Sequence, residues 1–212
     1  MELKDYQRYS EITRGLKKSE LVLKNAKIVN VFTGEIIEGD LAIEDGIIVG
    51  IGSYEGKTER DMSGKYICPG FIDSHLHLES TLVTPAELVT VASRHGTTTF
   101  IVDTHESANV SGLAGIDYIL EQTEDVKANV YVMMPSCVPA TGIDDNGCTL
   151  TAQDMAPYLN NSRILGLGEV MDSISVVQGD KGMHDKLELF EGRIRDGHAP
   201  FLEEGDLQAY AM

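Results

Sequence analysis

His75 and His77 stand one residue apart in the stretch Cys68-Pro69-Gly70-Phe71-Ile72-Asp73-Ser74-His75-Leu76-His77-Leu78-Glu79-Ser80. Side chains at i and i+2 of a strand point to one face, so both imidazoles project together. Imidazole nitrogen suits zinc, iron and manganese alike, and a nearby carboxylate compensates the charge. Glu169, at the end of the run Ile164-Leu165-Gly166-Leu167-Gly168-Glu169-Val170, offers that carboxylate, and His198 offers a further imidazole. A divalent ion held by such a set lowers the pKa of a bound water toward about 7, which is hydrolytic chemistry at neutral pH.

Taken singly, each residue has a plainer reading. An isolated H-x-H is more often a polar strand face than a ligand pair. Glu169 alone reads equally well as a satisfied buried carboxylate, and His198 in Gly197-His198-Ala199-Pro200 as a loop histidine. Their common placement at successive strand ends argues for a metal site, and the prefix Pro69–Asp73 brings a buried strand directly to the histidine pair.

The elements that must position them fall into two textures. Residues 1 to about 18 are polar and helix-forming. From Glu20 to Ile67, short β-branched runs alternate with turns at Thr33-Gly34-Glu35, Glu38-Gly39-Asp40 and Glu44-Asp45-Gly46, which suggests a small antiparallel sheet or sandwich. After Pro69 the pattern becomes strand, loop, helix, repeated. Strands are expected at 97–102, 129–134 and 164–170, with helices at 115–122, 151–159 and 184–191 and a short last segment at 192–198. Thr84-Pro85-Ala86-Glu87 has the form of a capping box with proline at the first helical position. Near-continuous apolar strands alternating with helices imply a parallel sheet with right-handed crossovers.

Composition limits the partners. With 17 Lys and Arg against 34 Asp and Glu, the net charge is -17, which disfavours nucleic acid and anionic membrane surfaces but not an uncharged small molecule. Cys68, Cys137 and Cys148 are too few and too scattered for a disulfide framework or a C-x-x-C zinc site, and read as buried or half-buried thiols. There is no apolar leader or membrane-length run, so a cytoplasmic location is expected. His95 and His184 read as surface residues, Met133-Met134 as core, and Glu203-Glu204-Gly205-Asp206 as a solvated helix start. His105 and Glu106 read equally as pocket lining or as a structural pair.

Pro69-Gly70-Phe71-Ile72-Asp73-Ser74-His75-Leu76-His77 resembles the first-strand signature of the amidohydrolase superfamily. Five further stretches are similar to its adenine deaminase branch: His77-Leu78-Glu79-Ser80-Thr81-Leu82-Val83-Thr84-Pro85, Val102-Asp103-Thr104-His105-Glu106-Ser107-Ala108-Asn109-Val110, Ser136-Cys137-Val138-Pro139-Ala140-Thr141, Gly166-Leu167-Gly168-Glu169-Val170-Met171 and Asp196-Gly197-His198-Ala199-Pro200. The resemblance runs from about residue 20 to the end. The loop Gly142–Cys148 departs from that pattern.

The resemblance implies a (β/α)8 TIM-type metal-dependent hydrolase barrel over 69–212, truncated after about five strands, preceded by a helix and part of a β-sandwich over 1–68. It implies hydrolysis of adenine to hypoxanthine and ammonia at two divalent ions of manganese, iron or zinc, in an enzyme that is a homo-oligomer at full length. His75 and His77 would bind one metal, Glu169 would bridge two where related hydrolases use a carboxylated lysine, and His198 would be the fifth-strand ligand. Glu79 and Glu106 are the pocket carboxylates it suggests. Other cyclic amidases or deaminases of the superfamily, or a non-catalytic metal-binding module, are the competing readings. A full barrel needs about 250 residues, and the sixth-strand histidine and eighth-strand aspartate of the superfamily have no place here. The chain alone is therefore expected to be inactive, with an unpaired strand edge and poor solubility.

Overall fold

A computed structural model describes all 212 residues, Met1–Met212. They form two compact units, Met1–Pro69 and Gly70–Met212.

The first unit opens with α1 (Leu3–Thr13) and continues as β1 (Ser19–Asn30), β2 (Glu35–Glu44), β3 (Ile47–Gly52), β4 (Gly56–Asp61) and β5 (Tyr66–Ile67). The strands form one sheet in the order β3-β2-β1-β4, with β5 also on β1. Asp45 and Gly46 both have positive φ (50° and 72°), the conformation that a two-residue primed hairpin turn needs. The sheet is mixed rather than antiparallel, because β4 and β5 run parallel to β1. The Gly-containing turns specify hairpins between consecutive strands, and no dipeptide signal marks a parallel return.

The apolar runs at 21–23 and 28–31 belong to a single strand. It is interrupted by a register shift between Leu23 and Ala26, where Asn25 takes φ 59°. Asp40 stabilises that bulge, accepting hydrogen bonds from Lys24 Nζ (2.6 Å), Asn25 N (3.0 Å) and Tyr54 N (3.0 Å). Burial works to raise the Asp40 pKa, but the bond from Lys24 and the two backbone donors outweigh it and hold the carboxyl below its ordinary value.

The second unit carries five parallel strands, β6 (Phe71–Leu76), β7 (Thr97–Asp103), β8 (Asn129–Pro135), β9 (Ile164–Val170) and β10 (Ile194–Gly197), in the spatial order β10-β9-β8-β7-β6. Each new strand is added beside the previous one, the progression of a (β/α) barrel rather than of a doubly wound sheet. The crossovers carry α2 (Pro85–Ser93), α3 (His105–Ser111), α4 (Leu113–Gln122), α5 (Ala152–Met155), α6 (Ser173–Gln178) and α7 (Lys181–Leu189), and α8 (Glu204–Tyr210) follows β10. Phe100, Val102, Ile116, Met134, Leu167 and Phe190 are the centre of the core.

Several local expectations need correction. β6 is an edge strand, paired only with β7, so Phe71 and Ile72 are 62% and 64% exposed rather than buried. Thr84 precedes α2, yet its side chain makes no capping bond, whereas Thr151 and Asp154 form a reciprocal capping box at α5. The helix expected over 151–159 is a short α5 continued by 3₁₀ turns at Ala156–Asn160, where Pro157 removes an amide donor. The short helices α3 and α6 lie outside the expected helical stretches. Cys68 is exposed, while Cys137 is buried and Cys148 half-buried.

Candidate metal centre

The strand ends of the second unit converge on one carboxylate. Glu169 Oε1 lies 3.2 Å from His75 Nε2 and 3.6 Å from His198 Nε2. Glu169 Oε2 lies 3.5 Å from His77 Nε2 and 3.1 Å from His105 Nδ1. The ring nitrogens of His75 and His77 are 3.1 Å apart. These imidazoles come from β6, the segment following it, the start of α3 and the loop after β10, so both edges of the sheet reach the end of β9.

Asp103, the last residue of β7 and 1% exposed, completes the cluster. Its Oδ1 accepts from the His105 backbone N–H (2.9 Å) and lies 3.0 Å from His105 Nδ1. The hydrogen bond to Asp103 raises the His105 pKa, against burial, which lowers it. One ligand atom from each of His77, Asp103, His105 and Glu169 falls within 4.8 Å of the others. Sequence reasoning left His105 between two readings and did not nominate Asp103. The available signal was Asp103-x-His105, which repeats at the end of β7 the i, i+2 spacing of His75-x-His77.

Local backbone geometry fixes the central carboxylate. Glu169 has φ 36°, a left-handed conformation unusual for a side-chain-bearing residue. Gly168 precedes it in a space where a Cβ would strike the Asp103 carboxylate and come within 2.7 Å of Met133 Cβ. Only glycine lets Asp103 approach β9 so closely.

Glu79 and Glu106 join the 3₁₀ turn Glu79–Thr81 to α3. Glu79 Oε1 accepts from Ser107 N (3.0 Å), and the Ser80 hydroxyl is 2.6 and 2.8 Å from the two oxygens of Glu106. His95 and His184 are exposed, and Met133 and Met134 are buried.

Four buried polar atoms have no hydrogen-bond partner: His77 Nδ1, Asp103 Oδ2, Glu79 Oε2 and Thr104 Oγ1. Buried polar groups normally find partners, and two of these atoms, on His77 and Asp103, belong to the strand-end cluster, which suits a site meant to take a ligand. The donor set of imidazole nitrogen and carboxylate oxygen fits zinc, iron or manganese.

Residues 66–210 match the amidohydrolase family. The chain is 57% identical over 209 residues to an adenine deaminase of Desulfitobacterium hafniense (strain Y51), covering 99% of this chain and 37% of the relative. It is 48% identical over 200 residues to "Adenine deaminase 2" of Carboxydothermus hydrogenoformans, again covering 94% of this chain and 35% of the relative. The chain thus spans little more than a third of the length of these relatives. Among solved structures, the zinc complex of atrazine chlorohydrolase TrzN from Arthrobacter aurescens TC1 superposes with a TM-score of 0.50 at 15% identity, over 65% of this chain and 41% of that one, and shares its fold.

Proposed function

Because the chain belongs to the amidohydrolase family, we propose that its strand-end cluster is part of the divalent-metal centre of an adenine deaminase, which hydrolyses adenine to hypoxanthine and ammonia. The observation that carries this reading is the convergence of His75, His77, His105 and His198 on the two oxygens of Glu169. The names of the relatives at 57% and 48% identity supply the substrate.

His75, His77, Glu169 and His198 are the proposed ligands, with Asp103 and His105 beside them. Each oxygen of Glu169 faces two imidazoles, which supports the reading that it would help hold the metal. When bound, the metal would polarise water for addition to C6 of the purine. The chain's own groups would orient the reactants. Asp103 fixes the His105 ring through Oδ1 and keeps Oδ2 available. Glu79 Oε2, buried and unpartnered, can accept a hydrogen bond from a purine N–H or a proton destined for the leaving amine, while Glu106 accepts from the Ser80 hydroxyl.

Two measurements test the reading. Zinc titration of the chain against a chelator should show binding, reduced more than about 100-fold in Glu169→Gln, beyond the 10–100-fold that outer-sphere partners carry. Ammonia release from adenine, guanine and cytosine is then followed for the zinc-, iron- and manganese-loaded chain. The assay is run alone and with the part of the Desulfitobacterium relative outside the matched residues. Release from adenine only is expected from the combined sample; release from another base in its place would overturn the substrate.

A further inference from the structure

Glu169 keeps its left-handed backbone because its peptide is gripped from both neighbouring strands. On the β10 side, its N–H donates to Asp196 Oδ1 at 2.9 Å. The β9–β10 ladder loses register between Arg195 and Gly197, so a side-chain oxygen serves where a strand carbonyl would otherwise. On the β8 side, the Ser136 hydroxyl donates to the Glu169 carbonyl at 2.7 Å, and Ser136 N donates to the Gly168 carbonyl at 3.0 Å.

Ser136 is itself anchored. Its carbonyl accepts from Lys186 Nζ at 2.6 Å, and Lys186, on α7, is only 9% exposed. Burying an ammonium is costly unless its bonds repay it, and desolvation pushes the Lys186 pKa down. Neither Ser136 nor Asp196 forms a hydrogen bond with any of the four histidines; what both hold is the peptide of Glu169.

We propose that Ser136 and Asp196, with Lys186 bracing Ser136 from behind, are positioning residues that hold the Glu169 peptide so that its carboxylate faces the histidines. The inference rests on the metal-centre reading above. Such partners set ligand orientation without touching the metal, and their loss typically weakens affinity 10–100-fold.

The test is zinc affinity of the full chain, by chelator competition, alongside the melting temperature of the metal-free protein. Ser136→Ala and Asp196→Ala should each weaken zinc binding about 10-fold or more. Asp196→Asn keeps an oxygen acceptor for the Glu169 N–H and should retain near-parental affinity, whereas Asp196→Leu, of similar volume but with no acceptor, should lose it, a split that a general packing role would not produce. Lys186→Met should weaken zinc binding in the parent and add little in the Ser136→Ala background, since both act through one residue. If Lys186→Met does not fold, the Asp196→Ala and Asp196→Asn pair and Ser136→Ala still decide the matter. Unchanged zinc affinity in Ser136→Ala and Asp196→Ala, with zinc bound by the parent, would overturn the inference alone. A parent chain with no zinc affinity overturns it together with the metal-centre reading.

Discussion

Adding one methyl group at Gly168 should damage the centre from behind. An alanine Cβ there would meet the Asp103 carboxylate and lie 2.7 Å from Met133 Cβ, both fixed by neighbouring strands. Neither can step aside cheaply, because Asp103 is 1% and Met133 2% exposed. Overpacking of this kind costs about 1–3 kcal/mol. For a domain of this size, that corresponds to a loss of roughly 3–10 °C in melting temperature. The displaced group is also the one that holds His105 at 3.0 Å, so zinc affinity should fall with stability. The matched control is Gly205→Ala in α8, where a Cβ meets nothing within 4 Å. The same chemical change there should leave zinc binding alone and stabilise by up to about 1 kcal/mol through helix propensity. Thermal melts and zinc titrations of both variants decide it. A Gly168→Ala chain that melts within about 1 °C of the parent and binds zinc equally well would refute the packing argument.

Two further outcomes follow from local bonds. Thr151→Ala removes the hydroxyl that bonds Asp154 at 2.6 Å and should cost about 1 kcal/mol, whereas Thr84→Ala, at a helix start with no side-chain cap, should be close to neutral; urea midpoints separate them. Asp40 has a folded pKa below its ordinary value of 3.8, so its contribution is fully present above pH 3.8 and is lost as pH falls further, through the folded value. Acid titration by circular dichroism should show that loss in the parent and a flatter curve in Asp40→Asn.

The parallel strands of the second unit were legible because burial on both faces writes itself as unbroken apolar runs, as in Val130–Met134 and Ile164–Leu167. Asp45-Gly46 was legible because only a tight turn needs two consecutive positive φ values. β4, with the sequence Gly56-Lys57-Thr58-Glu59-Arg60-Asp61, was not, since it lies at a sheet edge and buries almost nothing. α3 and α6 span 7 and 6 residues, too short for a helical period to emerge. At the candidate site, His75, His77, Glu169 and His198 could be nominated by residue type and strand-end position. The roles of Ser136, Asp196 and Lys186 depend on backbone bonds between residues 27 to 50 positions apart, which no local spacing encodes.

The convergence on Glu169 also bridges the width of the sheet. β9 and β6 are three strand intervals apart, about 14 Å between backbones if the sheet were flat, and the side chains of His75 and Glu169 close that span to 3.2 Å. His198 reaches the same oxygen from the opposite edge. Whatever occupies that cluster therefore acts as a tie rod between the two margins of an open, curled surface. Amide exchange in β6 and β10, slow to reach from one another along the chain, should then slow in concert when the cluster is filled. A ligand confined to one margin would protect that margin only.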